Sequence, residues 1–298
     1  MKQRNLRFVI VPKCAHPWAD EVVRGAMAQA SLLGEQLRID VVVDCLAPSF
    51  AGLAEQNSTL ERAAASQPDG IAVDPVAAIG DMPSIREIRH RGVPIILFDS
   101  PSPEPGMTSV GNDFAQQGTI AAQRLVGLID GRGKVAVMRG FPSAPNHRER
   151  YEAQVAVLRQ YPGISIVDGG SDNDDIGTAE REAAAVLAAN PDLRGYLCCD
   201  AAGPIGIAAA VRKAGRAGKV AVVGMDGIRP ILEAVKEGIL ESSASTIPVM
   251  QGSMSILMLW QASLGVPIPQ RIDTGIDLIT SANVESFLAM TRSTGTPR

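Results

Sequence analysis

One carboxylate stands in a turn that follows an apolar run. Asp226 lies between Gly224 and Gly227, shortly after the β-branched run Val220–Val223. No lysine, arginine or histidine adjoins Asp226, so its carboxylate is better suited to accept hydrogen bonds from hydroxyl groups than to act in acid–base catalysis. The alternative is that Asp226 caps the helix that begins near Pro230, and the sequence leaves both interpretations open.

Other polar residues stand at similar turns. Asp99 follows the run Pro94–Phe98, and Asn112 and Asp113 follow the short segment Thr108–Val110. Acids in such places commonly have structural roles, because Asp99 can begin a turn and Asp113 can cap the helix that follows it.

The start of a later helix carries a basic residue. Arg148 lies within the segment 146–150, where a helix is predicted to begin. A positive charge is slightly unfavourable at the N-terminus of a helix. The placement of Arg148 is therefore easier to understand if its guanidinium points at a ligand or a carboxylate, whereas Glu149 and Arg150 look like solvated partners.

The turn after the first apolar run carries an aromatic residue and a histidine. The turn Pro12–Asp20 contains no glycine, whereas a dinucleotide-binding domain needs Gly-x-Gly-x-x-Gly at this place. Trp18 can stack on a ligand, and His16 can supply a polar contact. In the alternative interpretation, Trp18 covers the start of the following helix and His16 is an ordinary surface residue.

Residue sets that are typical of enzymes do not occur in the sequence. Gly131–Lys134 resembles a phosphate loop but is followed by Val135, and there is no Gly-x-Ser-x-Gly elbow. None of the 3 histidines has a serine or cysteine nucleophile signature beside it. The 4 cysteines form no Cys-x-x-Cys and have no histidine at metal spacing. We therefore expect no enzymatic activity, no cofactor and no metal.

The totals narrow the class of protein further. The chain has 298 residues, 46% of them hydrophobic and 20% charged, which suits two domains of ordinary size. The net charge of -4 argues against nucleic acid or an anionic membrane surface as the main partner. No apolar run has the length of a membrane span. The first residues lead directly into strand one, so we expect a cytoplasmic protein or an exported protein without its leader.

Regularly alternating strands and helices have to position these residues. Apolar runs such as Leu6–Val11 and Gly70–Val73 alternate with helical patterns such as Asp20–Leu33 and Val249–Leu264. This alternation predicts an α/β architecture with parallel sheets. The strands are too many for one open sheet, so we predict two sheets with a break in the proline-rich segment Asp99–Gly106.

Together these positions resemble the type I periplasmic sugar-binding proteins, such as the ribose and galactose binders of ABC transporters, and the related effector domains of LacI-type repressors. The resemblance runs from Leu6 to about Ile279 and rests on motifs that occur in the family's order. These motifs are His16-Pro-Trp18, Gly111-Asn112-Asp113, Arg148-Glu149-Arg150, Cys199-Asp200 and the segment 222–227 around Asp226.

The resemblance implies roles for individual residues. It implies that Trp18 stacks on the ligand, with His16 beside it, and that a set of polar side chains hydrogen-bonds to the hydroxyl groups of the ligand. The implied set is Asp99, Asn112, Asp113, Arg148 and Asp226. Carboxylates accept and arginine donates in such contacts, and burying both signs of charge together keeps each charge paired.

Three positions depart from the family pattern. Cys199 replaces a ligand-binding asparagine, Thr246 replaces the glutamine of ribose binders, and Asn173 replaces the second stacking aromatic. A pyranose ring depends on aromatic contacts with both of its faces. We therefore expect a more polar and less ring-shaped pocket, which suits a sugar alcohol or a small open-chain or furanose sugar.

The resemblance also implies the organisation of the chain. It implies two Rossmann-like parallel-sheet lobes joined by three crossovers, near Val110–Asp113, Ser245–Ile247 and Arg271–Gly275. The N-terminal lobe is predicted to comprise residues 1–110 and 247–271, and the C-terminal lobe residues 111–246 and 272–298. The lobes are expected to close on the ligand by hinge motion.

The function implied is that of a monomeric periplasmic solute-binding protein of an ABC importer. It would capture a small neutral sugar or sugar alcohol in an interlobe cleft and deliver it to the transporter permease. The alternative is the ligand-sensing effector domain of a LacI-type transcription regulator, which carries a helix-turn-helix ahead of strand one. In an exported protein, a disulfide between Cys14 and Cys45 is an alternative to two free thiols, because these cysteines follow neighbouring strands.

Overall fold

The computed structural model describes residues 5–77 and 79–292. Its strands, numbered in chain order, are β1 (Leu6–Val11), β2 (Val41–Cys45), β3 (Gly70–Val73), β4 (Ile95–Phe98), β5 (Ser109–Gly111), β6 (Arg132–Arg139), β7 (Gly163–Ser171), β8 (Leu193–Leu197), β9 (Ala221–Met225), β10 (Ser242–Ser245), β11 (Arg271–Asp273) and β12 (Asp277–Thr280). Its helices are α1 (Pro17–Leu37), α2 (Leu53–Ala65), α3 (Met82–His90), α4 (Phe114–Leu128), α5 (Pro145–Leu158), α6 (Ile176–Ala189), α7 (Ala202–Lys213), α8 (Arg229–Lys236), α9 (Pro248–Ser263) and α10 (Val284–Arg292).

The chain forms two compact units. Unit 1 comprises Met1–Asn112, Ser143–Pro145 and Ile247–Gly275. Unit 2 comprises Asp113–Pro142, Asn146–Thr246 and Ile276–Arg298. Each unit therefore contains segments that are distant in sequence, because the chain leaves the unit and later returns to it.

Unit 1 contains a sheet of six strands in the order β11-β5-β4-β3-β1-β2. Every pair of neighbouring strands in it is parallel. Strands β3 and β4 are buried along their whole length, as expected for apolar runs in a parallel sheet that helices cover. Because the strands run in one direction, the turns that follow them lie at one edge of the sheet, where α/β proteins bind ligands.

Unit 2 contains a second sheet of six strands in the order β12-β10-β9-β8-β6-β7. Its neighbouring strands are parallel except for β12, which runs antiparallel to β10. The predicted α/β fold with two mainly parallel sheets is thus confirmed. The sequence did not predict β11 as a strand or α10 as a helix.

Two helices of unit 1 approach each other closely at glycines. Gly25 of α1 faces the backbone of Val249, and Gly252 of α9 faces the backbone of Val22. A Cβ atom at either glycine would collide with the opposing carbonyl oxygen. The absence of a side chain therefore permits this approach, which fixes α9 and with it the buried side chain of Gln251.

We expect Gly252→Ala to lower the free energy of unfolding by about 2 kcal/mol, because the added methyl group forces α1 and α9 apart. Gly127→Ala is the matched control: Gly127 lies in α4, a Cβ there meets no atom within 4 Å, and alanine forms helix better than glycine. Denaturant unfolding of both variants measures the difference. Equal stabilities would contradict the close packing of α1 against α9.

The described part of the chain contains no helix that is long and apolar enough to cross a membrane. Cys45, Cys198 and Cys199 are free thiols, of which Cys45 is exposed and the other two are buried. The disulfide alternative for Cys14 and Cys45 is therefore not realised in this structure.

Candidate functional site

A buried ion pair lies at the carboxyl edge of the unit 1 sheet. Lys13 follows β1 and Asp74 follows β3, and these strands are neighbours. The Nζ atom of Lys13 lies 2.7 Å from both carboxylate oxygens of Asp74 and 4.0 Å from Oδ2 of Asp99. All three side chains are buried. One ammonium group thus lies beside two carboxylates, so that opposite charges are buried together.

Asp99 has an unusual backbone conformation at the end of β4. Its φ is 44°, in the left-handed region that residues other than glycine seldom adopt. Its Oδ1 accepts a hydrogen bond from Nε2 of Gln251 at 3.2 Å, so a side chain of α9 meets this carboxylate. Strained residues of this kind cluster at ligand-binding sites.

A third acid of unit 1 is buried near Lys13. The pKa of Asp81 is raised to about 6, because burial outweighs the hydrogen bond from the Ala77 backbone N–H and the positive charge of Lys13. The region around Lys13 therefore contains more acidic than basic groups. Such a region offers hydrogen-bond acceptors to a neutral ligand and would repel an anionic one.

The first turn of unit 1 holds His16 and Trp18 in structural contacts. His16 is the N-cap of α1, and its Nδ1 accepts a hydrogen bond from the backbone N–H of Trp18 at 3.1 Å. This bond leaves Nε2 as the N–H donor of the ring, and Nε2 is buried without a hydrogen-bond partner among the described residues. Trp18 is buried and stacks on Phe98, with ring centroids 6.5 Å apart. Stacking of Trp18 on a ligand stays a prediction.

Asn112 and Asp113 occupy the place where the chain passes from unit 1 to unit 2. Asn112 is buried. Asp113 is the N-cap of α4, where its Oδ1 accepts a hydrogen bond from the backbone N–H of Gln116 at 2.8 Å. The capping interpretation of Asp113 is therefore confirmed, and ligand contacts by either residue stay predictions.

Asp226 in unit 2 resembles Asp99 in unit 1. It is buried at the end of β9 with a φ of 66°. Its Oδ1 accepts hydrogen bonds from Oγ1 of Thr246 at 2.6 Å and from the Thr246 backbone N–H at 3.4 Å. Helix α8 begins after Ile228 and has no side-chain cap, so the alternative in which Asp226 caps this helix is wrong. Its Oδ2 makes no hydrogen bond within the described residues and can accept one from a ligand.

Arg148 and Arg150 have opposite environments. Arg148 is exposed, and its contact with a ligand stays a prediction. Arg150 is 1% exposed, so its interpretation as a solvated partner is wrong. The two residues lie two positions apart on α5 and therefore face different sides of the helix.

Arg150 connects several elements of unit 2. Its Nε donates to Oε1 of Gln117 at 2.8 Å, and its Nη1 donates to the carbonyl oxygen of Cys199 at 3.3 Å. Its guanidinium lies 5.0 Å from the centre of the Phe114 ring. Gln117 in turn donates to the carbonyl oxygen of Ala244 at 2.9 Å. Arg150 thus holds α5 to α4 and to the turn that carries Cys199, and Gln117 extends this network to β10.

Cys199 follows β8 and Asn173 follows β7, the two strands that flank β6 in the unit 2 sheet. The Sγ atom of Cys199 is buried and accepts a hydrogen bond from the backbone N–H of Gly140 at 3.0 Å. Burial raises the pKa of the Cys199 thiol well above its usual value, so the side chain is neutral. Asn173 is exposed, with a φ of 53° in the turn after β7. Ligand contacts by both residues stay predictions.

The predicted residues fall into two groups, one in each unit. The unit 1 group is His16, Trp18, Asp99 and Asn112. The unit 2 group is Asp113, Arg148, Asn173, Cys199, Asp226 and Thr246. Sequence reasoning missed Lys13, Asp74 and Gln251. Lys13 and Asp74 carried a signal, because each follows an apolar strand, whereas nothing in the sequence of α9 distinguishes Gln251.

The chemistry of both groups is that of hydrogen bonding. Carboxylate oxygens accept, and the arginine and histidine side chains donate. In the part of the chain that the structure describes, no group of three or more His, Cys, Asp and Glu residues is arranged to hold a metal ion. The arrangement suits recognition of a ligand with many hydroxyl groups.

Comparisons with known proteins give matches over most of the chain. Residues 8–265 match a family model described as "Periplasmic binding protein domain". The xylose/arabinose-binding protein XylF of Sulfolobus acidocaldarius is 22% identical over 254 residues, which are 79% of this chain but only 62% of that protein. The D-ribose/D-allose-binding protein of Pseudomonas aeruginosa is 24% identical over 239 residues, covering 76% of this chain and 75% of that protein.

A solved structure is similar over nearly the full length. It is an ABC transporter solute-binding protein from Burkholderia graminis in complex with D-arabinose. The TM-score is 0.89 at 25% sequence identity, and the similarity covers 96% of this chain and 99% of that one.

Proposed function

The chain belongs to the periplasmic binding protein domain family, and on this premise we propose that it is the solute-binding protein of an ABC importer for a small neutral sugar or sugar alcohol. The observation that carries the proposal is the family match over residues 8–265, which includes most of both sheets. Proteins of this family bind a solute for transport and do not transform it, so the chain is a binding protein and not an enzyme.

The side chains at the two sheet edges support a polyhydroxylated ligand. Asp99 and Asp226 present buried carboxylates at strand ends, and the buried Nε2 of His16 has no acceptor among the described residues. Hydroxyl groups can satisfy both kinds of group, because a hydroxyl donates and accepts. Leaving such groups unsatisfied is costly, so the site should reject ligands without hydroxyls.

The ligands named for similar proteins agree with this chemistry. The relatives from Sulfolobus acidocaldarius and Pseudomonas aeruginosa are named for xylose, arabinose, ribose and allose, and the Burkholderia graminis structure contains D-arabinose. All of these are neutral and polyhydroxylated. We propose a ligand of about four to six carbons, with sugar alcohols ahead of aldoses because Asn173 stands where a second stacking ring is expected.

The remaining parts of the proposal concern place and partners. We propose that the protein works in the periplasm as a monomer, that both units contact one ligand, and that hinge closure precedes delivery to the permease. The alternative, an effector domain of a LacI-type regulator, has less support, because the similar proteins reported above are named as binding proteins or transporter components.

A thermal-shift screen over pentoses, hexoses, pentitols and inositols tests the proposal. A ligand at about 100 times its Kd adds about 2.7 kcal/mol to the stability of the native state, so we expect at least one polyol or sugar to raise Tm by about 5 °C or more. Amino acids and nucleosides in the same screen serve as the negative set. The proposal is wrong if members of the negative set raise Tm while no sugar or polyol does.

A further inference from the structure

Two buried carboxyl groups lie at the carboxyl edge of the unit 2 sheet. Asp172 follows β7 and is 0% exposed, and Asp200 follows β8 and is 1% exposed. The Oδ1 of Asp172 accepts the backbone N–H of Asp174 at 2.9 Å, and the Oδ1 of Asp200 accepts that of Gly203 at 2.8 Å. Both Oδ2 atoms are buried and lack a conventional donor among the described residues. The two carboxyl groups are close neighbours, because a Cβ atom at Gly203 would lie 3.1 Å from Oδ2 of Asp172 and 3.1 Å from Oδ1 of Asp200.

A hydrogen bond between two carboxyl groups requires a proton on one of them. The surroundings offer no other donor. His147 Nδ1 lies 4.0 Å from Oδ2 of Asp200, but this nitrogen already accepts the backbone N–H of Phe141 at 3.0 Å and cannot donate. Within the described residues, neither carboxyl group forms an ion pair with a lysine or arginine.

The remaining titratable and charged groups near the pair come from the elements packed around it. They are Asp174 in the turn after β7, Cys198 and Cys199 in the turn after β8, Tyr196 in β8 and Arg150 in α5. Arg150 directs Nη1 to the carbonyl oxygen of Cys199. Gly140, which follows β6, packs closely against the pair, because a Cβ atom there would collide with Oδ2 of Asp200.

We propose that Asp172 and Asp200 share one proton and are positioning residues for the ligand-binding edge of unit 2. The inference rests on the proposed function, because Asn173 and Cys199, two predicted ligand residues, adjoin the pair in sequence. The shared proton forms an O–H···O bond that holds the turn after β7 to the turn after β8. Loss of this proton leaves two like charges in contact within a buried space, and the two turns separate.

The direction of the pH dependence follows from burial. Burial raises the pKa of Asp172 to about 6. Burial, together with the negative charges of Asp172 and Asp174, raises the pKa of Asp200 well above its usual value. Because both folded-state values are raised above the unfolded values, the stability from the pair is fully present below about pH 4 and is lost as pH rises through about 6 and beyond.

Asp200→Asn tests the proposal, because an amide can keep the bond to Gly203 and donate N–H to Asp172 at every pH. Between pH 6 and pH 9, we expect Tm of the wild type to fall relative to the variant by about 4 °C or more. Over the same range, the wild-type Kd for xylitol or D-ribose should rise about tenfold, and that of the variant should change less than about twofold. Difference infrared spectroscopy at pH 7 should detect a protonated carboxyl group in the wild type that the variant lacks.

Two further variants control the experiment. Asp192→Asn removes a charge of the same sign from a side chain that is 66% exposed and should follow the wild-type pH profiles. Asp172→Asn places the amide on the other side of the pair and should reproduce Asp200→Asn, which also covers the case in which the first variant does not fold.

The outcomes separate this inference from the proposed function. Parallel Tm profiles for wild type and Asp200→Asn, or no infrared signal from a protonated carboxyl group, would overturn the shared proton. Parallel Kd profiles would overturn the positioning role. If no sugar or polyol binds the wild type at any pH, the proposed function fails, and the Tm and infrared results alone decide whether the pair shares a proton.

Discussion

Lys13→Met is expected to lower the free energy of unfolding by about 3 to 5 kcal/mol at neutral pH, because breaking a buried ion pair leaves an uncompensated charge. The substitution removes the ammonium that contacts Asp74 at 2.7 Å and lies 4.0 Å from Asp99, while both carboxylates stay buried. Methionine is flexible and can fill most of the space of the lysine stem. The loss of stability therefore measures the removal of the charge and not the creation of a cavity.

The loss should become smaller as the pH falls. In Lys13→Met the carboxyl groups of Asp74 and Asp99 stay buried after the ammonium is removed, and burial disfavours the charged form of a carboxyl group. A raised folded-state pKa contributes stability at low pH that disappears as the pH rises. Urea unfolding of wild type and variant at about pH 5 and at about pH 7.5 should therefore show a smaller difference at the lower pH.

Arg7→Met provides the matched control for this prediction. Arg7 pairs with Asp44 at 2.6 Å, but the two side chains are 47% and 35% exposed, so the same loss of charge should cost less than about 1 kcal/mol. The double variant Lys13→Met/Asp74→Asn should regain part of the stability that Lys13→Met loses. Equal stabilities of Lys13→Met and Arg7→Met would show that the buried Lys13 pair contributes no more to stability than the exposed Arg7 pair.

The regular part of the fold could be predicted from the sequence because its signals are local. The run Gly70–Val73 was predicted as a strand and is β3, and the run Val220–Val223 overlaps β9. Each is a stretch of β-branched or apolar residues, whose burial in a parallel sheet requires no knowledge of its neighbours.

The elements that were missed depend on partners elsewhere in the chain. Strand β11 has only 3 residues and is largely exposed, so its sequence lacks an apolar pattern. It is a strand because Arg271–Asp273 pair in parallel with Ser109–Gly111, which lie far from it in sequence. A short edge strand of this kind becomes visible only when the sheet order is known.

The strand-end positions of the candidate residues could be predicted from the sequence, but their contacts could not. The rule that polar residues gather at the carboxyl ends of parallel strands correctly singled out Asp99 and Asp226 as strand-end residues. The pairing of Lys13 with Asp74 spans 61 positions and arises because β1 and β3 are neighbours in the sheet. The sequence specifies both residues, and the strand order decides that they meet.

Similar local patterns also led to different outcomes. Asp113 and Asp226 both stand shortly after a predicted strand or short segment and shortly before a helix. Asp113 caps its helix through Gln116, whereas Asp226 has a positive φ and accepts its hydrogen bonds from Thr246, on the neighbouring strand end. The backbone conformation at the turn selects which N–H or O–H groups the carboxylate reaches, and local sequence does not determine that conformation.

Arg150→Met and Arg148→Ala are expected to change different properties of the protein, although the two arginines lie in one motif. Arg150→Met should affect stability, and Arg148→Ala should affect ligand binding. Arg150→Met should lower the free energy of unfolding of the protein by about 3 kcal/mol, because the carbonyl oxygen of Cys199 and the amide of Gln117 lose a buried charged donor. Arg148→Ala should change stability by less than about 0.5 kcal/mol, because the side chain is exposed.

In ligand binding, the large effect is expected from the substitution of Arg148. Arg148→Ala should weaken binding of the best ligand in the thermal-shift screen by about 2 kcal/mol or more, because the substitution removes the proposed charged donor to the ligand. Isothermal titration measures this change, and denaturant unfolding of the same samples measures stability. Wild-type affinity for Arg148→Ala would remove Arg148 from the site. Wild-type stability for Arg150→Met would mean that the contacts of Arg150 do not hold α5 to the turn of Cys199. The buried guanidinium would then be expected to act in ligand binding.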